Sequence, residues 1–308
     1  MKWLHRIRPI NILIILATQL LVYLFYSLPI SIGDVFHTDY PSFKYYFIIA
    51  VITCIVVTAG YIINDIFDSE IDKINKPKKA ISNPSRWMIV YKALFIIGLS
   101  LVVFVSYQLK VIYFTPIYLL TWFLLYQYSR RLKCMPLIGN LVVALLSSAA
   151  VLIVMAPAFH IYKTFDDQAY YFIFLPVYYY TIMAFLLSFM REVVKDMEDV
   201  NGDGSQKCQT MAVKFGLKIT RTIVQGLHLI TIVLSIGFAW LFLGVDRLIW
   251  VGFIGILIIL LLFQMVRLNK ASAQSSYRKI QKFYKLIMVM GILVFLLEPY
   301  IYEFLGLT

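Results

Sequence analysis

Charged residues are scarce in this chain of 308 residues: Asp, Glu, Lys and Arg together make up 14% of it, whereas 61% of the residues are hydrophobic. Soluble globular domains contain about 25% charged and roughly 45–50% apolar residues. A soluble protein of this composition would expose large apolar patches and aggregate. The composition therefore excludes a soluble domain and a disordered chain, and it predicts a polytopic membrane protein.

Cysteine and histidine are also few. The three cysteines, Cys54, Cys134 and Cys208, are far apart in the sequence and form no C-x-x-C pair, and the four histidines are isolated from one another. This spacing argues against a zinc site and against a disulfide framework. The cysteines leave the redox compartment of the protein open.

Long apolar stretches, by contrast, fill most of the chain. A helix needs about 20 mainly apolar residues to cross the hydrocarbon core of a bilayer. Nine stretches qualify, and no soluble domain fits between them, so we predict a single all-α integral membrane domain over residues 1–308. The predicted spans are residues 11–30, 45–63, 88–107, 111–126, 137–157, 170–190, 223–243, 248–266 and 286–302.

The basic residues predict the orientation of these spans. A cytoplasmic N-terminus places every Lys and Arg on the cytoplasmic side except Lys44, Lys110, Lys163 and Arg247. Cytoplasmic loops of membrane proteins collect such residues. The net charge of +12 is thus explained by membrane topology and does not indicate a nucleic-acid partner. An odd number of spans leaves the C-terminus outside.

More than half of the 16 acidic residues fall into two loops on the predicted cytoplasmic side, one after the second span and one after the sixth. If the preceding helices continue past the membrane edge, acids at i, i+4 share one helix face. Carboxylate and amide oxygens in such an array suit Mg²⁺, which also binds substrate phosphates. We predict that both clusters are catalytic, through Asn64, Asp65, Asp68, Asp72, Asp196, Asp199 and Asp203.

These clusters resemble the two signatures of the UbiA superfamily of intramembrane prenyltransferases. The first is Asn64-Asp65-x-x-Asp68-x-x-x-Asp72 followed by basic residues, and the second is Asp199-x-x-x-Asp203 followed by a Thr-Met-x-Val segment and Gly216. A third similarity runs from Tyr128-Ser129-x-x-Leu132-Lys133 to Gly139-Asn140. The resemblance covers the chain from about residue 61 to residue 216 by motif.

The resemblance implies nine helices around a central cavity, with both acidic motifs facing its cytoplasmic mouth. They would bind Mg²⁺, through Asn64, Asp68, Asp72, Asp199 and Asp203, and a polyprenyl diphosphate. Further substrate contacts are expected from Lys76, Lys79, Tyr128, Lys133, Asn140, Arg191 and Lys195. For Asn140 a second role stays open, because a polar side chain in an apolar span also joins helices.

The acceptor of the prenyl group is predicted from the residues within the motifs, which differ between branches of the superfamily. Asp72-Lys73-Ile74-Asn75-Lys76-Pro77 and the stretch from Arg191 to Asp203 most resemble the branch that makes ether lipids by transferring a geranylgeranyl group to geranylgeranylglyceryl phosphate. An aromatic acceptor, as in quinone, tocopherol or chlorophyll synthesis, is the alternative. A transporter is a third hypothesis, but transporter acids lie at mid-membrane, whereas these lie at span ends.

Overall fold

The structure is a computed structural model that describes residues 8–24, 43–69, 81, 83–157, 167–205, 208–245 and 247–305, with backbone alone for 167–173 and 299–305. Within these ranges every regular element is helical. Each of the nine predicted spans overlaps one α-helix, and residues 25–30 of the first predicted span lie outside the described residues. The helices are α1 Pro9–Val22, α2 Phe43–Phe67, α3 Pro84–Gln108, α4 Phe114–Arg130, α5 Ile138–Leu152, α6 Asp167–Ser205, α7 Met211–Leu243, α8 Leu248–Lys270 and α9 Gln274–Leu305.

Seven helices in the described residues are long and apolar enough to cross a membrane, with mean hydropathies between 1.3 and 2.7. The two others are α1, with 14 residues, and α4, with 17. A helix rises about 1.5 Å per residue, so these two are shorter than the roughly 30 Å hydrocarbon core. The chain is an integral membrane protein, and the direction in which it crosses the membrane stays a prediction.

The chain divides into two compact units. The first comprises Met1–Leu132 with Ile153–Phe165, and the second comprises Lys133–Leu152 with Asp166–Thr308. The first unit therefore contains α1 to α4, and the second contains α5 to α9. That the whole chain forms one domain stays a prediction.

Aromatic side chains join α3 to α4 in the first unit. Tyr118 donates a hydrogen bond to the carbonyl oxygen of Phe95 at 3.0 Å, and Trp122 packs edge-on against the Phe95 ring. The Tyr118 hydroxyl lies where a Cβ on Gly98 would have to be. Gly98 therefore lets α3 approach α4 closely. Tyr118 and Trp122 belong to a buried apolar cluster that also includes Ile49 and Ala59 of α2.

Helix α6 lies at the centre of the second unit, where it contacts α5, α7 and α9. A buried hydrogen bond of 2.9 Å between the Tyr284 hydroxyl and His228 Nε2 joins α9 to α7. The His228 Nδ1 atom lies 2.8 Å from the carbonyl oxygen of Val224, so it carries the proton and Nε2 accepts. These buried polar groups thus form hydrogen bonds with one another, as polar groups in an apolar interior must.

Helix α7 begins with a short segment that is set at an angle to the rest. Gly216 has φ 79° and ψ 162°, which interrupts the helix after Phe215. Residues with side chains rarely adopt a positive φ, so glycine is the residue that permits this turn. The preceding segment carries Thr210 at its start, beside the second acidic motif.

Candidate active site

The first acidic motif lies at the end of α2. The backbone N–H of Asp68 donates to the carbonyl oxygen of Asn64 at 3.0 Å, so the helical pattern continues to Asp68 and places both side chains on one face. Asn64 Nδ2 donates to Asp68 Oδ2 at 2.8 Å. Asp65 is half-buried beside them. The expected grouping of these three residues is therefore present, and Asp72, Lys76 and Lys79 lie outside the described residues.

Tyr128 belongs to the same unit and to the same end of the neighbouring helix. The ring of Tyr126 on α4 packs edge-on against Phe67 of α2, with ring centroids 5.5 Å apart. Phe67 directly precedes Asp68, and Tyr128 follows Tyr126 by two residues. The structure thus brings Tyr128 to the end of α2 that carries the first motif.

The second acidic motif is helical throughout, because α6 continues to Ser205. Asp199 and Asp203 are four residues apart and share one helix face. Asp199 is exposed and Asp203 is half-buried. Asp203 Oδ2 accepts a hydrogen bond from Thr210 Oγ1 at 3.2 Å, so Thr210, directly before α7, holds this carboxylate in place.

Asn140 and Asp196 form a pair between α5 and α6. Asn140 Nδ2 donates to Asp196 Oδ2 at 2.8 Å, and Asn140 is 7% exposed. Burial raises the pKa of Asp196, and the negative charge of Asp203, seven residues or about two turns further along the same helix, also acts to raise it. Asn140 therefore joins α5 to α6, which is one of the two roles expected for it. The other role, a contact with substrate, stays a prediction.

Glu192 was not among the expected site residues, although it forms ion pairs with two residues that were. Its carboxylate forms an ion pair with the guanidinium of Arg191 and another, at 3.5 Å, with Lys195 Nζ. Glu192 is 5% exposed, and a buried carboxylate needs such partners. The i, i+3 spacing of Glu192 and Lys195 was the available signal. The two cations are therefore held at defined positions on α6.

A disulfide joins Cys134 to Cys208, with Cα atoms 4.5 Å apart. The cysteine spacing argued against a disulfide framework, and that argument did not foresee this link. The reason is that the two cysteines are 74 residues apart in the sequence, whereas the turns that carry them meet in the second unit. The backbone N–H of Gln209 also donates to the carbonyl oxygen of Cys134 at 3.0 Å. Lys133, next to Cys134, is thereby brought beside the segment that follows Asp203.

The donor atoms of both motifs suit Mg²⁺. Oxygens of Asn64 and Asp68 lie together in the first unit, and those of Asp196 and Asp203 lie on one helix in the second. Among the described residues no three His, Cys, Asp or Glu side chains are grouped closely enough to hold a metal by themselves. Mg²⁺ typically uses one or two carboxylates and completes its shell with water and substrate phosphates. The residues therefore fit a metal that binds together with a diphosphate.

Comparison with known proteins identifies the family. The sequence profile of the UbiA prenyltransferase family matches residues 26–287. The chain belongs to this family. It is 33% identical over 261 residues to the digeranylgeranylglyceryl phosphate synthase of Sulfurisphaera tokodaii, covering 82% of this chain and 88% of that protein. It is 29% identical to the Thermococcus sibiricus enzyme of the same name, covering 94% of each chain.

Solved structures share the fold of this family member. A digeranylgeranylglyceryl phosphate synthase structure superposes with a TM-score of 0.70 at 23% identity, covering 96% of this chain and 97% of that one. A UbiA homologue from Archaeoglobus fulgidus bound to DMAPP and Mg²⁺ superposes with a TM-score of 0.57 at 16% identity, covering 96% and 99%. The membership also removes the transporter hypothesis, because the family consists of prenyltransferases.

Proposed function

We propose that this prenyltransferase transfers a geranylgeranyl group from geranylgeranyl diphosphate to the free hydroxyl of geranylgeranylglyceryl phosphate, forming an ether lipid. The main support for this proposal is the 33% sequence identity, over most of the chain, to an enzyme that is named after this reaction. The arrangement around the second motif agrees with it, since Arg191 and Lys195 are held by Glu192 close to the acidic face of α6.

The residues of both motifs serve the departure of the diphosphate. Asn64, Asp68 and Asp72 in the first motif, and Asp199 and Asp203 in the second, would hold Mg²⁺, which supplies charge neutralisation to the leaving group when bound. Lysine and arginine side chains add hydrogen-bond donors for the phosphate oxygens. The C1–O bond breaks, the diphosphate keeps the electron pair, and C1 becomes an allylic cation. The acceptor oxygen then forms the ether bond to C1 and releases its proton.

The experiment is an assay of the purified protein with geranylgeranyl diphosphate, with and without EDTA, in which pyrophosphate and the lipid product are both measured. We expect ether product and pyrophosphate with geranylgeranylglyceryl phosphate and Mg²⁺, and neither with EDTA. Undiminished turnover without metal would contradict the role given to the carboxylates. Restoration of activity by Mg²⁺ after EDTA is the control for irreversible loss of the fold.

An aromatic acceptor is the second candidate, because other prenyltransferases share parts of the motifs. A panel of aromatic acids offered with the same labelled donor separates the two, and the mass of the product identifies the acceptor used. Product formed only with an aromatic acid would refute the ether-lipid proposal and leave the prenyltransferase chemistry unchanged.

We further propose that the N-terminus and the acidic motifs lie on the cytoplasmic side of the cell membrane and the C-terminus outside. The distribution of Lys and Arg between the loops supports this orientation. A reporter that is active only in the cytoplasm, fused to the C-terminus, should be inactive. An active reporter in a fusion that retains prenyltransferase activity would contradict the orientation.

A further inference from the structure

The last turns of α6 carry the second acidic motif on a sequence that forms a helix poorly by itself. Residues 200–205 are Val-Asn-Gly-Asp-Gly-Ser, which contains two glycines. Glycine is less favourable in a helix than any other residue except proline. Three acids, Glu198, Asp199 and Asp203, fall within the last eight residues of α6, and no basic residue lies in its last turn. Because like charges four residues apart also oppose a helix, this segment needs support from its neighbours.

Helix α9 supplies such support at Glu198. The two oxygens of this carboxylate accept different hydrogen bonds, Oε1 from Arg278 Nε at 2.7 Å and Oε2 from Gln281 Nε2 at 2.5 Å. Arg278 and Gln281 are three residues apart and therefore project from the same face of α9. The side chain of Glu198 is 10% exposed, whereas that of Arg278 is 59% exposed. We call these three residues the Glu198 clamp.

The clamp holds α6 on the side that lies away from the acidic motif. A helix turns about 100° per residue, so Glu198 lies about 140° around α6 from Asp203 and about 160° from Asp196. Asp196 is held by Asn140 of α5, through their hydrogen bond of 2.8 Å. The last turns of α6 are thus tied to α9 on one side and to α5 on the other. These ties fix the rotation of α6 about its axis, and with it the direction of the face that carries Asp203.

The clamp also reduces the charge repulsion in this segment. The ion pair with Arg278 neutralises one of the three acids, and Gln281 adds a second bond to the same carboxylate. Both interactions favour the helical state of the last turns before any metal is present. A metal bound by Asp199 and Asp203 together would require that state, and its apparent affinity falls in proportion to the fraction of molecules that has it.

We propose that Arg278 and Gln281 are positioning residues for the second motif. Acting through Glu198, they keep the last turns of α6 helical before Mg²⁺ binds and thereby place Asp199 and Asp203 as its ligands. This role requires no contact of either residue with a substrate. The inference rests on the proposed function, because it takes Asp199 and Asp203 as metal ligands in prenyl transfer.

The first test measures order in the metal-free protein and needs no turnover. Hydrogen–deuterium exchange of the backbone amides of residues 199–205 is followed in the presence of EDTA. Because Arg278 is largely exposed, its ion pair has the modest strength of a surface pair, and we expect exchange about threefold faster in Arg278→Gln. Gln281→Ala should accelerate exchange in the same way. Lys279→Gln is the matched control, since it removes the same charge from the next, exposed residue of α9, and it should exchange like the wild type.

The second test measures the Mg²⁺ concentration that gives half-maximal prenyl transfer. In Arg278→Gln this concentration should rise about threefold. Excess Mg²⁺ should restore the kcat of the wild type, because metal binding draws the remaining molecules into the helical state. Arg278→Lys keeps the charge and a donor for Glu198, so it should stay closer to the wild type. A kcat that stays low at every Mg²⁺ concentration would overturn the inference and assign Arg278 a direct part in the reaction.

A double-mutant cycle tests whether Arg278 acts through Glu198. If it does, Arg278→Gln should have almost no further effect on the Mg²⁺ requirement of a protein that already carries Glu198→Gln. Independent effects that multiply in the combined variant would show that Arg278 acts elsewhere, and they would overturn the inference.

The exchange measurement separates this inference from the proposed function. Faster exchange in Arg278→Gln, together with no ether product from the wild type, would refute the proposed function and leave the clamp standing. Exchange at the wild-type rate in both Arg278→Gln and Gln281→Ala, together with normal product formation by the wild type, would refute the inference alone. Equal acceleration in Lys279→Gln would show a general effect of lost charge and would also refute it.

Discussion

The hydrogen bond between Asn140 and Asp196 offers a direct test of how the second motif is held. We expect Asn140→Ala to lower kcat/KM because Asp196 loses the donor that orients its carboxylate. Hydrogen bonds to charged groups contribute about 1.5–3 kcal/mol, whereas bonds between membrane helices average about 0.6 kcal/mol. The bond is short, at 2.8 Å, and Asn140 is 7% exposed.

Because Asp196 itself is only half-buried, water replaces part of the lost interaction, and we expect a value near the lower end for charged groups. A loss of about 1.4 kcal/mol corresponds to a tenfold lower kcat/KM. Ser147→Ala is the matched control on the same helix. The Ser147 side chain is exposed and donates only to the carbonyl oxygen of Val143, so its removal should leave kcat/KM within about twofold.

The decisive assay is a double-mutant cycle with Asn140→Ala, Asp196→Ala and the combined variant. If Asn140 acts through Asp196, its removal should have almost no further effect once Asp196 is absent, and the coupling energy should be about 1 kcal/mol or more. Additive losses in kcat/KM would refute this reasoning. They would show that Asn140 contributes independently, as a residue in direct contact with substrate would.

Three further predictions concern the motifs, the disulfide and the bend in α7. Asp68→Ala and Asp203→Ala should each lower kcat by orders of magnitude while the detergent-solubilised protein stays folded. Asp166→Ala, on the predicted outer side, should have the kcat of the wild type. Equal losses of kcat in all three variants would contradict the predicted topology. Cys134→Ser should lower the Tm, because the disulfide closes a long loop and such links contribute about 2–4 kcal/mol; an unchanged Tm under both oxidising and reducing conditions would contradict this. Gly216→Ala should destabilise the protein by about 1–2 kcal/mol in denaturant titrations, since alanine is strained at positive φ, and an unchanged unfolding midpoint would show that the bend tolerates a side chain.

Much of the helical architecture could be predicted from composition alone. Apolar stretches have to be helical in a bilayer, because only a helix satisfies the backbone polar groups within one segment. In the described part of the chain, each of the nine predicted spans overlaps a helix. The acidic spacing also predicted the shared face of Asn64 and Asp68, since a period of four residues is a local property of the helix.

Contacts between distant segments could not be predicted in this way. Neither the Cys134–Cys208 disulfide nor the hydrogen bond between Asn140 and Asp196 leaves a local pattern, because each depends on which segments become neighbours and in what register. Hydrophobicity places a residue inside or outside the membrane but does not say which helix it will face.

The length of α6 links the chemistry to the thickness of the bilayer. Its 39 residues correspond to about 58 Å, roughly twice the hydrocarbon core of about 30 Å. The apolar part and the acidic part belong to one continuous helix, so the depth at which the apolar part settles also sets the height of Asp199 and Asp203 above the hydrocarbon. A thinner or thicker membrane is accommodated by tilting such a helix or deforming the lipid around it. The lipids that surround this enzyme therefore help to position its carboxylates.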